Sequence, residues 1–276
     1  MRLFDSHAHI DDDLYDSDFN DMLIRAYDFG VQAIMVAGVT PETISKALMI
    51  AQQQREDSSN RLNKESINIF ISVGMHPHDA KQCSDDIISN YKELADKYPS
   101  IIKAWGETGL DFNRMHSPCD VQEKWFIRQI EAADDLNLAL IFHERDSNGK
   151  FLEILKSLDH KDRRGVVHCF SGTRQEMFSY LDLGYYIGIT GILTLQQRGD
   201  MLRELALLIP EDRIVIETDA PYLTPAPMKN KTRRNEPAFV KYVFNRLAEI
   251  KSVDPEKLAD RLWQNSCLLY NITELQ

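Results

Sequence analysis

The sequence predicts an α/β fold, a single (β/α)8 barrel of the TIM type. Short apolar runs alternate with longer amphipathic segments from end to end. The runs are rich in Val and Ile on both faces, and almost every one ends in a histidine or a carboxylate. Strands apolar on both faces belong in a parallel sheet covered by helices. Eight strand–helix units in about 250 residues is the size of such a barrel.

The candidate strands are 2–7, 31–38, 67–74, 101–107, 138–144, 165–170, 184–191 and 213–219. Helical periodicity fills 17–29, 41–56, 84–97, 120–137, 147–158, 173–183 and 198–208, followed by 236–250 and a further helical tail within 254–276. No Gly/Ser- or Pro-rich linker interrupts the alternation, so residues 1–276 read as one domain. The polar stretch 56–66 reads as a surface insertion, and the tail, including Asn265, as packing.

Composition narrows the function classes. A chain of 276 residues with 43% apolar content can bury a large core. Its four cysteines are scattered without a C-x-x-C pair, which points to a reduced, cytoplasmic setting and away from disulfides or thiolate metal clusters. No leader pattern or membrane span is evident, and no obligate protein partner. Thirty-two basic against 43 acidic residues, a net charge of −11, speak against a protein that coats nucleic acid. A deep site holding its own cations is not subject to that argument.

In a barrel all strand C-termini open on one face. His7 and His9, His76, Glu107, His143, His168 and Asp219 follow strands one, three, four, five, six and eight, and so should share one cavity. Residues two apart on an extended chain point the same way, so His7 and His9 can reach one ion. Imidazole nitrogens and carboxylate oxygens suit Zn²⁺ or Mn²⁺, and Mg²⁺ where oxygen and water dominate. Four of these histidines, His7, His9, His143 and His168, with the two carboxylates exceed the needs of one tetrahedral ion. Two divalent cations bridged by Glu107 are therefore expected, an arrangement that activates water for attack at phosphorus. Asp219 is expected both to hold an ion and to act as general base. His116 and His160 read as loop residues, His78–Asp79 as a turn, and Cys169 as alternating away from His168.

"FDSHAHID", "GMHPHD", "GETGLDFNR", "HCFSGT", "YIGITG", "ETDAPYLTP" and "RRNEPAFV" occur in this order over about 1–270. Together they resemble the TatD-type metal-dependent deoxyribonucleases. The resemblance implies a divalent-metal-dependent nuclease acting on DNA, in some members a 3′–5′ exonuclease that prefers single-stranded ends. It also implies that His7, His9, Glu107 and Asp219 hold one ion and Glu107, His143 and His168 the other. One departure from some relatives is Glu144 after His143, expected to point away from the site.

For substrate, His76 and Arg145 are expected at phosphates, with Arg145 sharing the parity of His143. Lys229, Lys231, Arg233 and Arg234 form a basic loop after strand eight, expected to contact the DNA backbone. Phe112, Phe170 and Tyr222 are candidate stacking platforms, and Trp105 belongs to the barrel wall. Ser171 and Gly172 lead into a helix whose free amides could meet an anion. The competing reading is a metal-dependent amidohydrolase or lactonase acting on a small molecule. Several of these bridge their metals with a carboxylated lysine on the fourth strand, where this chain has Glu107, with Lys103 four residues earlier.

Overall fold

The computed structural model describes residues 1–60, 66–158 and 162–273. Eight parallel strands run β1 (Leu3–Ala8), β2 (Val31–Ala37), β3 (Asn68–Val73), β4 (Ile102–Asp111), β5 (Ala139–Arg145), β6 (Gly165–Val167), β7 (Tyr186–Ile189) and β8 (Ile214–Ile216), paired in chain order. Beyond β8 the chain bridges back to β1: Ala8 pairs with Ala220, Asp219 N–H donates to the His7 carbonyl at 2.9 Å, and His9 N–H donates to the Ala220 carbonyl at 2.7 Å. The bonds that close the cylinder thus set Asp219 beside His7.

The helices are α1 (Phe19–Asp28), α2 (Pro41–Asn60), α3 (Asp85–Lys97), α4 (Cys119–Asp135), α5 (Lys150–Ser157), α6 (Arg174–Asp182), α7 (Asp200–Leu208), α8 (Val240–Lys251) and α9 (Pro255–Leu269). α2 runs beyond the expected end, so the start of the polar 56–66 stretch continues a helix. Residues 61–65 of that stretch lie outside the described residues, as do His160 and the last three residues of the tail. Ser84 and Thr173 cap α3 and α6 through their hydroxyls, the ordinary way of satisfying first-turn amides.

Two apolar layers hold the barrel. The larger lies between strands and helices and includes Trp105, fully buried, whose indole N–H reaches Gln129. The smaller fills the barrel itself, with Phe4, Met35, Phe70 and Ile141 from the strands meeting Trp263, Leu269 and Tyr270 at the C-terminal end of the chain. The α9 tail therefore plugs the N-terminal end of the barrel. The opposite end is left to polar chemistry.

β4 is the strand that matters most for the site. Its register against β5 shifts between Gly106 and Thr108. Gly106 and Gly109 both adopt positive φ, where a side chain would collide with the β5 backbone at Ile141 and His143 respectively. Between them Glu107 is buried at the mouth.

Candidate metal centre

Glu107 is the hub. Its Oε1 lies 2.9 Å from His7 Nε2 and 3.3 Å from His9 Nε2, with Asp219 Oδ1 3.7 and 3.5 Å from those same nitrogens. Its Oε2 lies 3.3 Å from His76 Nε2, 3.5 Å from His168 Nε2 and 3.7 Å from His143 Nδ1. One carboxylate thus serves two groups of imidazoles, one per oxygen. The His7 and His168 rings stack across it at 4.3 Å.

The protonation pattern follows from burial against pairing. Burial alone would raise Glu107 and Asp219, but surrounding imidazoles overcome it and hold both carboxyls below the usual range. Burial pushes His168 down to about 3 and His76 to about 4, leaving both neutral with lone pairs to offer. For His9 and His143 burial is outweighed, by hydrogen bonds to Asp219 and Glu107 in the first case and to Asp111 and Glu107 in the second. His9 is raised and His143 reaches about 9.

The donor set fits divalent cations. His7 Nε2 and His9 Nε2 lie 3.3 Å apart while both approach one carboxylate oxygen, so three polar atoms crowd one point. His7 and His168 turn Nε2 to Glu107, while their Nδ1 atoms, on the other edge of each ring, are buried without a hydrogen-bond partner. Converging nitrogens and oxygens of this kind are what an ion resolves.

Behind this ring stands a layer that sequence reasoning missed. Asp111, buried at the end of β4, accepts from His78 Nε2 at 2.7 Å and from His143 Nε2 at 3.3 Å, while its other oxygen accepts from the backbone N–H of Asn113 and Arg114. This leaves His143 Nδ1 aimed at Glu107. His78 does lie in a short 3₁₀ turn, Pro77–Gln82, yet its ring also anchors this carboxylate. Glu217, two residues before Asp219, accepts the Cys169 N–H and lies 3.8 Å from His168 Nδ1. The signal for Asp111 was available in its position four residues after Glu107, and for Glu217 in its shared parity with Asp219.

Several expectations need correction. Cys169 does not alternate along a strand: β6 ends at Val167, and Cys169 sits in a turn with φ of 47°. Phe170 is buried among core residues and offers no face to a base. The first turn of α6 is closed by a Thr173–Glu176 capping box, which puts a carboxylate where an anion was expected. Arg234 is committed elsewhere: its guanidinium pairs with Asp18 at 2.6 and 2.7 Å and lies over the Tyr15 ring. The pairing arises because α1 packs against the loop after β8, and it leaves Arg234 unsuited to a DNA phosphate.

Glu144 turns from the site to Ser147, as its position suggests. Arg145 and Arg233 are exposed at the same end of the barrel. Tyr222 is 55% exposed and stands edge-on to His9 at 6.0 Å. It lines, with His76 and the metal-type residues, a cavity of about 550 Å³. Lys103 lines cavities at the other end of the barrel with Ser100, Ile272 and Tyr270, out of reach of the Glu107 position.

The family model described as TatD related DNase matches residues 4–271. The chain belongs to the TatD family. The chain is 36% identical over 273 residues to a protein of Rahnella named 3′-5′ ssDNA/RNA exonuclease TatD, covering 98% of this chain and 99% of that one. It is 33% identical to an uncharacterized metal-dependent hydrolase, YabD, of Bacillus subtilis, covering 98% and 99%. Among solved structures, a TatD homologue from Escherichia coli superposes with a TM-score of 0.86 at 27% identity, covering 98% of both chains. A TatD-family hydrolase from Entamoeba histolytica gives the same TM-score at 26% identity and the same coverage. The protein is a TatD-family metal-dependent hydrolase built on a (β/α)8 barrel, and no helix among its described residues is long and apolar enough to cross a membrane.

Proposed function

We propose that this TatD-family chain is a nuclease that hydrolyses phosphodiester bonds of DNA, working from the 3′ end of single strands. Two divalent cations would be held by His7, His9, Glu107 and Asp219 on one side and by Glu107, His143 and His168 on the other. The observation that carries the reading is Glu107, whose two oxygens each face a separate cluster of imidazoles. The names of the TatD relatives support the nucleic acid substrate.

A divalent pair at this place acidifies water and neutralises charge on a phosphoryl group. The chain's own residues do the rest. Asp219, held ionised, takes the proton of the attacking water at its carboxylate. Glu107 keeps both ligand groups in register. His76, neutral and lining the cavity with Nδ1 accepting from His78 N–H and Nε2 3.3 Å from Glu107, would exchange the latter contact for a phosphate oxygen, and Tyr222 would meet a base or sugar at the cavity edge.

A 5′-labelled single-stranded oligonucleotide incubated with Mg²⁺, Mn²⁺ or Zn²⁺ tests this. Progressive shortening from the 3′ end is expected, and its loss in chelator. Absence of cleavage of DNA with every ion, alongside turnover of lactones or dipeptides, would overturn it.

A further inference from the structure

The mouth of the barrel is divided by charge. On one side, the loops after β1 and β3 line the cavity with Asp11, Asp12, Asp13 and Asp79. The nearby Lys46 is already paired with Asp13 and Asp16. On the other side, five consecutive connections, from β4 to β8, each present an exposed arginine: Arg114, Arg145, Arg174, Arg198 and Arg233. Among the described residues none of the five side chains has a carboxylate within ion-pair distance. Elsewhere Arg25, Arg128, Arg163, Arg203 and Arg246 are paired with acids, while Arg261, exposed on α9, is without one among the described residues.

The five are held by anchored backbone. Arg114 N–H is fixed to Asp111 at 2.7 Å, the carbonyl of Arg145 accepts from Phe112 N–H at 2.9 Å, and the carbonyl of Arg233 accepts from the Thr224 hydroxyl at 3.1 Å. Arg174 opens α6 directly after its N-cap Thr173, within the capping box. The loop carrying Arg198 is tied down by Arg203, which donates to the carbonyls of Leu193 and Leu195. The carboxylates on this side have partners of their own: Asp146 accepts from Asn113, and Glu176 closes the capping box. Because the strands pair in chain order, consecutive connections follow one another around the mouth.

From this placement we infer that Arg114, Arg145, Arg174, Arg198 and Arg233 form an arc that grips successive phosphates of a single nucleic acid strand entering the metal centre. The strand approaches over β4–β8, because the acidic side repels its backbone. Guanidinium groups suit phosphate oxygens, and although Arg174 lies over the Phe178 ring at 5.6 Å, none of the five has a carboxylate partner among the described residues, so no ion pair must be broken on binding. Arg145 and Arg233 were expected from sequence. The other three become visible only as members of a series.

The inference rests on the nuclease reading, and the test separates the two. A 5′-fluorescein-labelled oligothymidylate is titrated with the full chain in chelator and followed by anisotropy at several salt concentrations. Arg114→Glu, Arg174→Glu and Arg198→Glu should each weaken binding about 5- to 10-fold, and Arg→Ala versions should each lower the salt slope by about 0.7, as expected for one lost phosphate contact on a single strand. With divalent ion present, KM should rise while kcat stays within about twofold. Lys46→Glu and Arg261→Glu, outside the arc, should bind within about twofold of the parent. Arc variants indistinguishable from the parent, equal losses in the two controls, or no binding by the parent would each overturn the arc. Cleavage by a parent whose arc variants behave normally would leave the nuclease reading standing, whereas failure of the parent to cleave any strand with any ion would remove both.

Discussion

The two ends of this barrel are built from the same strands and do opposite things. At the N-terminal end, Phe4, Phe70, Trp263 and Tyr270 pack together, with Phe4 lying 5.9 to 6.2 Å from the other three rings. At the C-terminal end, five histidines crowd one carboxylate, with buried nitrogens left unpartnered. The closed floor supplies apolar burial, and the mouth carries polar groups whose desolvation opposes folding. Rigidity at one end thus permits an electrostatically costly arrangement at the other.

The contrast can be tested from the largest effect downward. Glu107→Gln preserves shape but removes the shared charge, so hydrolysis of single-stranded DNA should fall on the order of 10²–10³-fold or more, comparable with losing a transition-state stabiliser. Melting in chelator should change little. Retained activity would break the assignment of the mouth as the working end.

Trp263→Ala attacks the floor and should do the reverse. Loss of a large buried aromatic costs about 3–5 kcal/mol, which lowers the melting temperature by roughly 6–20 °C for a chain of this size. Calorimetry checks the shift, and metal stoichiometry measured well below the transition should be unaltered.

Asp111→Ala sharpens the picture of the mouth. With its anchor removed, His143 is free to turn Nδ1 away from Glu107, and metal affinity should drop about 10- to 100-fold. Isothermal titration with Mn²⁺ should show the loss confined to one of two binding events, while melting in chelator separates it from misfolding.

Arg234→Gln should give the smallest effect, about 0.5–1 kcal/mol. Arg234, then Arg25, holds the Asp18 carboxyl well below its ordinary value of 3.8. The stability so gained is present above about pH 4 and disappears as acid protonates Asp18 in the folded chain. Parent and variant melting curves should therefore differ at neutral pH and converge on acidification, and parallel curves down to the lowest pH would show that the pair contributes nothing.

The sequence was most informative where chemistry coincides with periodicity. Six of the eight apolar runs lead into a ligand-type residue, so His7, His9, Glu107, His143, His168 and Asp219 could be placed at one mouth from the sequence, and the structure does bring them together. Reading failed where the partner comes from another part of the chain. Nothing local distinguishes Arg233, exposed, from Arg234, half-buried in an ion pair with Asp18, 216 residues away. Phe170 looked like a loop aromatic, yet the turn after β6 folds it into the core.

The chain by itself therefore determined the barrel, the end at which the polar groups gather and the identity of the hub, because strand periodicity is local and parallel strands share one direction. Tertiary structure decided which nitrogen of His143 faces Glu107, which arginines stay free, and how β4 shifts at Glu107 to place one oxygen toward each imidazole group. Those outcomes depend on distances between residues far apart in sequence, and such distances exist only once the cylinder has closed.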